Sequence, residues 1–389
     1  MRRPLLFALG AVLALSTPLT AQSLFGSAGL GVPLEPLDAR ARSLGAFGPG
    51  LLGSTLTPND PSSAAGLVLP TLTATMQPLW GSFEESGVEG DLQGTRFPLV
   101  LAAYPMGVFG NVMASYQGVF DQRWAAERSS LIDVGGEQVR ANDRFESLGG
   151  AALFQVGWAR ALGERAGVGI SVGRYTGRLD RLFSRTLDSL SVGSDVSTFT
   201  EASSWNYTGT AGSVGVHVDP NPLIRVGASV HWSGSLEADP KERTEAAGST
   251  FDLPIEYRVG ASGALTQRLM FTAGLRYADW SGADGDLTDV ETVGSTLSFG
   301  AGMEWGGPRF LGRTIPIRLG YRRSALPYRY RAGDPRESAL AAGLALNFSQ
   351  VQEFTLAGID LALERTHRWD DVLSERFWRM TASLRVSGR

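Results

Sequence analysis

Between residues 253 and 280 the chain reads LPIEYRVGASGALTQRLMFTAGLRYADW, and its apolar residues fall at every second position. Ile255, Tyr257, Val259 and Ala261 share one side, while Glu256, Arg258, Gly260 and Ser262 share the other. After residues 264–268 the rhythm returns, with Leu269, Phe271, Ala273, Leu275 and Tyr277 set against Thr272, Gly274 and Arg276. A period of two predicts strands, and the short polar gap predicts a hairpin.

From residue 71 onward the same rhythm marks fourteen segments: 71–80, 95–104, 111–120, 150–159, 167–175, 205–218, 223–232, 253–263, 269–278, 295–305, 314–323, 338–348, 354–364 and 376–386. Most have the length that a tilted strand needs to cross a bilayer, and their number is even. The connections alternate. Long ones run over 81–94, 121–149, 176–204, 233–252, 279–294, 324–337 and 365–375, and short ones separate them. An up-and-down membrane barrel sorts its loops this way, with long loops outside and tight turns on the periplasmic side; a Greek-key sandwich does not.

Which side the apolar residues face follows from the charges. The last segment sets Trp378, Met380, Ala382, Leu384 and Val386 against Arg379, Thr381, Ser383 and Arg385. A dry core on the arginine side would cost several kcal/mol per unpaired ion, roughly, and a polar lumen removes that cost. The apolar side therefore faces lipid. Trp80, Trp158, Trp205, Trp232, Tyr277, Trp305 and Trp378 lie near segment ends, where interfacial aromatic girdles form. The predicted fold class is all-β, a fourteen-stranded antiparallel up-and-down transmembrane β-barrel with an N-terminal hatch. Its domains are a signal peptide over 1–21, the hatch over 22–70 and the barrel over 71–389.

The signal peptide rests on Arg2 and Arg3, the apolar run from Leu5 to Leu19, and the small residue Ala21. It implies export, and with the barrel it places the chain in a bacterial outer membrane. Cysteine is absent, which excludes disulfides, thiolate metal sites and cysteine nucleophiles. A net charge of −4 speaks against nucleic-acid binding. Basic charge is almost wholly arginine, Lys241 being the only lysine.

The stretch LDARARSLGAFGPGLL, followed by NDPSSAAGL, resembles the N-terminal segment of the FadL-type outer-membrane transporter family. Ala64-Ala65-Gly66-Leu67 matches the end of that family's step into the first strand, although no Asn-Pro pair stands directly before it. LPIEYRVGAS, IPIRLGYRRSALPY and DPNPLIRVGASV are similar to its recurring strand and turn motifs, and fourteen is its strand number. The resemblance implies a hatch-plugged barrel for passive uptake of hydrophobic small molecules, such as fatty acids or aromatic compounds. It equally implies an alternative: PorV-like barrels share the architecture, serve protein secretion as docking shells, and carry no small-molecule substrate.

The candidate binding residues come from two sources. Segment 95–104 is apolar on both faces beyond Arg96, so Val100 and Ala102, with Leu153 from a later segment, are expected to line a greasy pocket or pack on the hatch. Among the lumen-side charges, Arg258, Arg276 and Arg318 are the candidates to grip an anionic head group; the alternative is an Arg–Glu ladder filling the barrel. In the family a kink in the third strand opens the wall sideways. Gly118 and Pro98 are the matching candidates here, and a change of apolar parity across TGTAGS predicts a bulge at Gly209–Gly212.

No catalytic role, cofactor or metal is expected. His231 near Ser229 and Ser233 lacks an orienting acid. The acidic loop of Asp279, Asp284, Asp286, Asp289 and Glu291 lacks calcium-loop spacing and reads as solvated. The expected partners are outer-membrane lipid, a hydrophobic ligand and, in the alternative reading, secretion machinery.

Overall fold

The computed structural model describes residues 22–134, 136–187, 198–241, 247–286, 291–310, 313–331, 333–351 and 354–388. The expected signal peptide and Asp289 lie outside the described residues. The strands are β1 (Val32–Pro33), β2 (Thr71–Glu85), β3 (Val88–Pro105), β4 (Asn111–Asp121), β5 (Trp124–Val134) and β6 (Glu137–Ala161). There follow β7 (Ala166–Leu187), β8 (Phe199–Asn221), β9 (Ile224–Ser233), β10 (Ser235–Pro240), β11 (Ser249–Asp252) and β12 (Glu256–Thr266). The rest are β13 (Leu269–Asp279), β14 (Ser295–Phe310), β15 (Arg313–Ala325), β16 (Arg336–Val351), β17 (Phe354–Trp369) and β18 (Leu373–Ser387).

Fourteen of them form the ring: β2, β3, β4, β6 to β9, and β12 to β18. It closes where β18 pairs antiparallel with β2, from Ser387 opposite Thr71 to Leu373 opposite Glu85. Each ring strand coincides with one of the fourteen segments expected from the sequence, β9 starting one residue late and β12 three. The differences lie above the bilayer. β3, β6, β7 and β8 run well into stretches that read as loops, and β5, β10 and β11 extend the wall further. Outside the membrane neither face must be greasy, so the period-two signal fades while the ladder continues. The β2–β3 hairpin turns through Ser86 and Gly87, both with positive φ, a turn whose twist matches that of the paired strands.

The wall is apolar outside and polar inside. On β8, Val214, Val216 and Val218 are exposed, while Ser213 and His217 are buried. On β12, Tyr257 and Val259 are exposed and Arg258 is buried. So continuous an apolar outer belt is what bilayer hydrocarbon requires, and a monomer in water would not carry it. Trp80 and Trp378 are cross-strand partners on the outside of the ring. Among the described residues no helix is long and apolar enough to cross a membrane.

Residues 22–70 fill the lumen; we call them the inner segment. Its one α-helix, α1 (Ala39–Ser43), is capped by Asp38, which accepts from the Ala41 amide at 2.8 Å. Arg40 and Arg42, two residues apart on it, reach the wall carboxylates Glu304 and Glu364 at 2.9 and 3.1 Å. Further on, Asn111 donates to the carbonyls of Ala64 and Ala65 at 2.6 and 3.0 Å.

Where the segment comes closest to the wall at six points, the wall carries a glycine. Gly169 and Gly215 face Pro61 and Asp60; Gly227 and Gly260 face Gly50 and Pro49; Gly300 and Gly320 face Gly45 and Leu44. A Cβ on Gly320 would lie 2.5 Å from the Leu44 carbonyl carbon, too close to fit without moving backbone. Asp60 is buried here, and burial pushes its carboxyl up to about 6, against the hydrogen bonds that it accepts from Ser62.

Candidate functional site: a cavity behind a break in the wall

β3 and β4 pair in register from Pro105 opposite Asn111 to Leu99 opposite Gln117, and there their ladder stops. Both strands are irregular at the next residue. On β3, Thr75 faces Leu99 and Gln77 faces Arg96, so Phe97 and Pro98 together oppose Met76 alone. On β4, Gly118 faces Ala152 and Phe120 faces Ala151, which leaves Val119 as an extra residue. Two bulges therefore flank one point, with a proline that cannot donate on one side and a glycine on the other.

Above that fork the inner segment takes the place of β3. β1 pairs with β4, setting Val32 opposite Asp121 and Pro33 opposite Phe120, and the Leu34 amide donates to the Val119 carbonyl at 2.8 Å. Leu34 also occupies the space over Gly118, where a Cβ would meet its Cδ1 at 2.7 Å. Higher still, Gln22 and Arg123 bridge the break, each donating to the Thr95 carbonyl of β3, at 3.1 and 3.0 Å.

Directly behind the fork lies a small cavity of about 50 Å³. Leu34, Phe120, Leu153, Leu253 and Trp280 give it an apolar side. Its polar side holds Gln117, His231, Ser233, Glu256, Arg258 and Arg276. Most of these groups are already paired. His231 Nδ1 meets Ser213 Oγ at 2.8 Å, Ser233 Oγ meets the Tyr175 hydroxyl at 2.5 Å, and Arg258 donates to Glu256 at 2.6 Å. Arg276 is paired with Glu35 of the inner segment. Arg258 Nε and Nη1, however, are buried without a partner. The cavity thus offers an apolar body and free guanidinium N–H groups at one end, a combination that suits a greasy molecule with an acceptor oxygen.

An aromatic cluster closes the extracellular side. Trp280, just beyond the end of β13, packs edge-on against Phe120 at 6.2 Å and Tyr328 at 5.5 Å between ring centroids. Tyr207, Leu236 and Leu179 complete the same buried core.

Of the residues expected from the sequence, Leu153, Gly118, Arg258 and Arg276 all line this cavity. Arg258 and Arg276 are direct cross-strand partners. Val100 and Ala102 do not line it: both are exposed on the lipid side, and the inward residues of β3 are Leu99, Leu101 and Ala103. Both faces of that strand are apolar, so periodicity gave no direction. Arg318 stands elsewhere, donating to Glu304 and Asp360, each at 2.6 Å. Together with Arg322, which pairs with Glu364 at 3.1 Å, it forms part of a ladder of lumenal ion pairs.

Pro98 lies at the fork. Gly212 lies in an unbroken ladder opposite Val172 and Trp232. Near Gly209, three steps along β8 from Thr208 to Ala211 face four along its partner from Ser233 to Glu237, a bulge centred on the partner strand at Gly234. The inward parity of β8 runs unbroken through it. The apolar set changes sides because Trp205 and Tyr207 line the closed extracellular mouth, whereas Val214 and Val216 meet lipid. Leu34, Phe120 and Trp280 were not singled out in the sequence, because they lie in stretches without strand rhythm or at strand ends.

No protein-family model matches the chain, and no curated protein matches it by sequence. Its backbone is similar to that of the Ralstonia pickettii toluene transporter TbuX, with a TM-score of 0.60 at 14% identity over 92% of this chain and 99% of that one. A Pseudomonas aeruginosa FadL homologue gives 0.60 at 12% identity, again over 92% and 99%. The CymD monoaromatic hydrocarbon channel gives 0.57 at 13% identity over 92% and 98%. At these identities the likeness is one of fold, and the fold is the FadL-type barrel to which the sequence motifs pointed.

Proposed function

We propose, with the FadL-type outer-membrane barrel as premise, that this chain lets small hydrophobic molecules pass down their gradient across the outer membrane. Molecules would reach the cavity from the extracellular mouth and leave sideways at the β3–β4 fork, with residues 22–70 acting as the hatch. One observation carries the reading: a partly apolar cavity lies against the point where the β3–β4 ladder ends and Leu34 packs over Gly118. The named neighbours, a toluene transporter and a monoaromatic hydrocarbon channel, support the same substrate class.

Leu153 and the unpaired N–H groups of Arg258 would orient the cargo, with Pro98 and Gly118 keeping the wall from zipping shut. Lumen and mouth are both packed in this state, so passage requires that the aromatic cluster and Leu34 move. No observation specifically favours a secretion scaffold, and the cavity has no role in one. Uptake of radiolabelled toluene by cells that carry this protein as their hydrocarbon channel tests the proposal. Uptake should exceed that of cells lacking it and fall when Leu153→Trp fills the cavity. Equal uptake by both cells would refute transport.

A further inference from the structure

Next to the apolar cavity, and sharing Arg276 and Pro33 with it, is a narrower chamber of about 30 Å³. Arg42, Arg96, Arg276, Arg322, Arg368 and Arg379 border it, against the carboxylates Glu35 and Glu337. Three more carboxylates pair with these arginines from behind: Glu364 with Arg42, Arg322 and Arg379; Glu375 with Arg368; Asp121 with Arg96. Arg258 and Arg123 share Glu35 and Asp121, and Arg258 also holds Glu256. The connected set therefore holds eight arginines, six at the chamber plus two, and six carboxylates, two plus three plus one. Positive charge is in excess.

The hydrogen bonding tells the same story. Arg42 Nε, Arg276 Nε and Arg322 Nη1 are buried with no acceptor, although Arg42 and Arg322 are only 2% and 3% exposed. A guanidinium does not shed its proton to escape burial, so relief must come from an acceptor that also carries negative charge. Water supplies the first property and not the second. We infer that this chamber is an oxyanion site, taking one small carboxylate or phosphate group between Arg42 of the inner segment and Arg276 and Arg322 of the wall. The narrow space admits such a group but no larger body. Because the anion touches both segment and barrel, its binding tightens the hold of the one on the other, a linkage that stands whether or not the barrel transports hydrocarbons.

The test is thermal unfolding of the full-length protein in detergent micelles, titrated with sodium phosphate, sodium acetate or sodium chloride at matched ionic strength. Phosphate or acetate should raise the midpoint by a few degrees, roughly, and saturably; chloride should not. Ser324 also lines the chamber, so Ser324→Glu supplies a built-in carboxylate. That variant should unfold above the unmodified protein in chloride and lose its response to phosphate and acetate. An equal response to all three salts, or an undiminished anion response in Ser324→Glu, overturns the site. Should Ser324→Glu not fold, Arg42→Gln keeps the question open to refutation, since its anion affinity must fall at least about tenfold and an unchanged value rejects the assignment. Octanoate binding much tighter than acetate identifies the head of an amphipathic cargo as the natural anion; equal binding identifies a free one.

Discussion

The two sides of the barrel hold the inner segment differently. On the side of β12 to β15 the ladders shift register only near the short turns, at Ala264–Thr266 and Gly306–Arg309, and β13 and β14 stay in register from Leu269 opposite Trp305 to Asp279 opposite Ser295. There the segment's backbone lies on wall glycines, and its charges are tied down by Arg40–Glu304 and by the Glu35 pairs with Arg258 and Arg276. On the β3–β4 side the ladder stops halfway, and the segment meets it through Pro33, Leu34 and two backbone pairings. The segment is clamped by ion pairs and glycine contacts to one wall and held by hydrogen bonds and apolar packing to the other. Among the described residues no ion pair joins the segment to β3 or β4, which makes the fork the place where the proposed release would begin.

The contrast can be broken from the clamped side. Gly260→Val puts a side chain into the space held by the Pro49 carbonyl. Overpacking of this kind costs about 1–3 kcal/mol or more, which lowers the equilibrium constant for docking by roughly 5- to 150-fold. Single-channel recordings in planar bilayers should show a large open conductance in Gly260→Val and a nearly closed parent. The same substitution at Gly163, in a periplasmic turn with open space around it, should leave conductance unchanged despite its φ of +69°.

A second intervention removes charge rather than space. Glu364, fully buried, is shared by Arg42, Arg322 and Arg379. Glu364→Gln leaves three guanidinium groups short of a counter-charge, and breaking buried pairs costs about 3–5 kcal/mol. The heat-modifiable migration of the folded barrel should shift to clearly lower temperature. An equivalent change at Glu127, an exposed partner of Arg144, should shift it hardly at all.

The smallest expected effect concerns pH. Asp60 titrates near 6 in place and near 3.8 when free, so its neutral form is the one that docks best. Docking of residues 57–65 is therefore strongest at acid pH and weakens as pH rises through that window, by about 1 kcal/mol between pH 5 and 7. Protection of the amides from Thr57 to Ala65, taken against intrinsic exchange at each pH, should fall accordingly, and Asp60→Asn should remove that fall.

Much of this architecture was legible because a bilayer enforces strict alternation. Wherever lipid touched one face and the lumen the other, as along β12 and β13, the sequence announced strand, direction and side together. β3 is the counterexample. Leu99 and Leu101 face the packed inner segment while Val100 and Phe97 face lipid, so both environments select apolar residues and the pattern carries no sign. β8 misled for a related reason, since its apolar residues switch sides where the surroundings switch from lipid to a closed mouth. The wall glycines carry a sequence signal of their own. Arg225-Val226-Gly227, Arg258-Val259-Gly260 and Arg318-Leu319-Gly320 repeat an inward arginine followed two residues later by an inward glycine, which marks a wall that is both charged and in backbone contact. Leu34 and Trp280 could not be found from periodicity, because their role depends on which distant strand they reach.

The chain has no cysteine, so an introduced pair reacts only with itself. Leu34→Cys with Gly118→Cys joins the inner segment to β4 at the fork, where the two residues are in contact. If the fork is the way out, uptake of a radiolabelled hydrophobic probe should drop to background when the pair is oxidised and return when it is reduced. Equal uptake in the two states would show that cargo leaves by another path, and the central claim would be wrong.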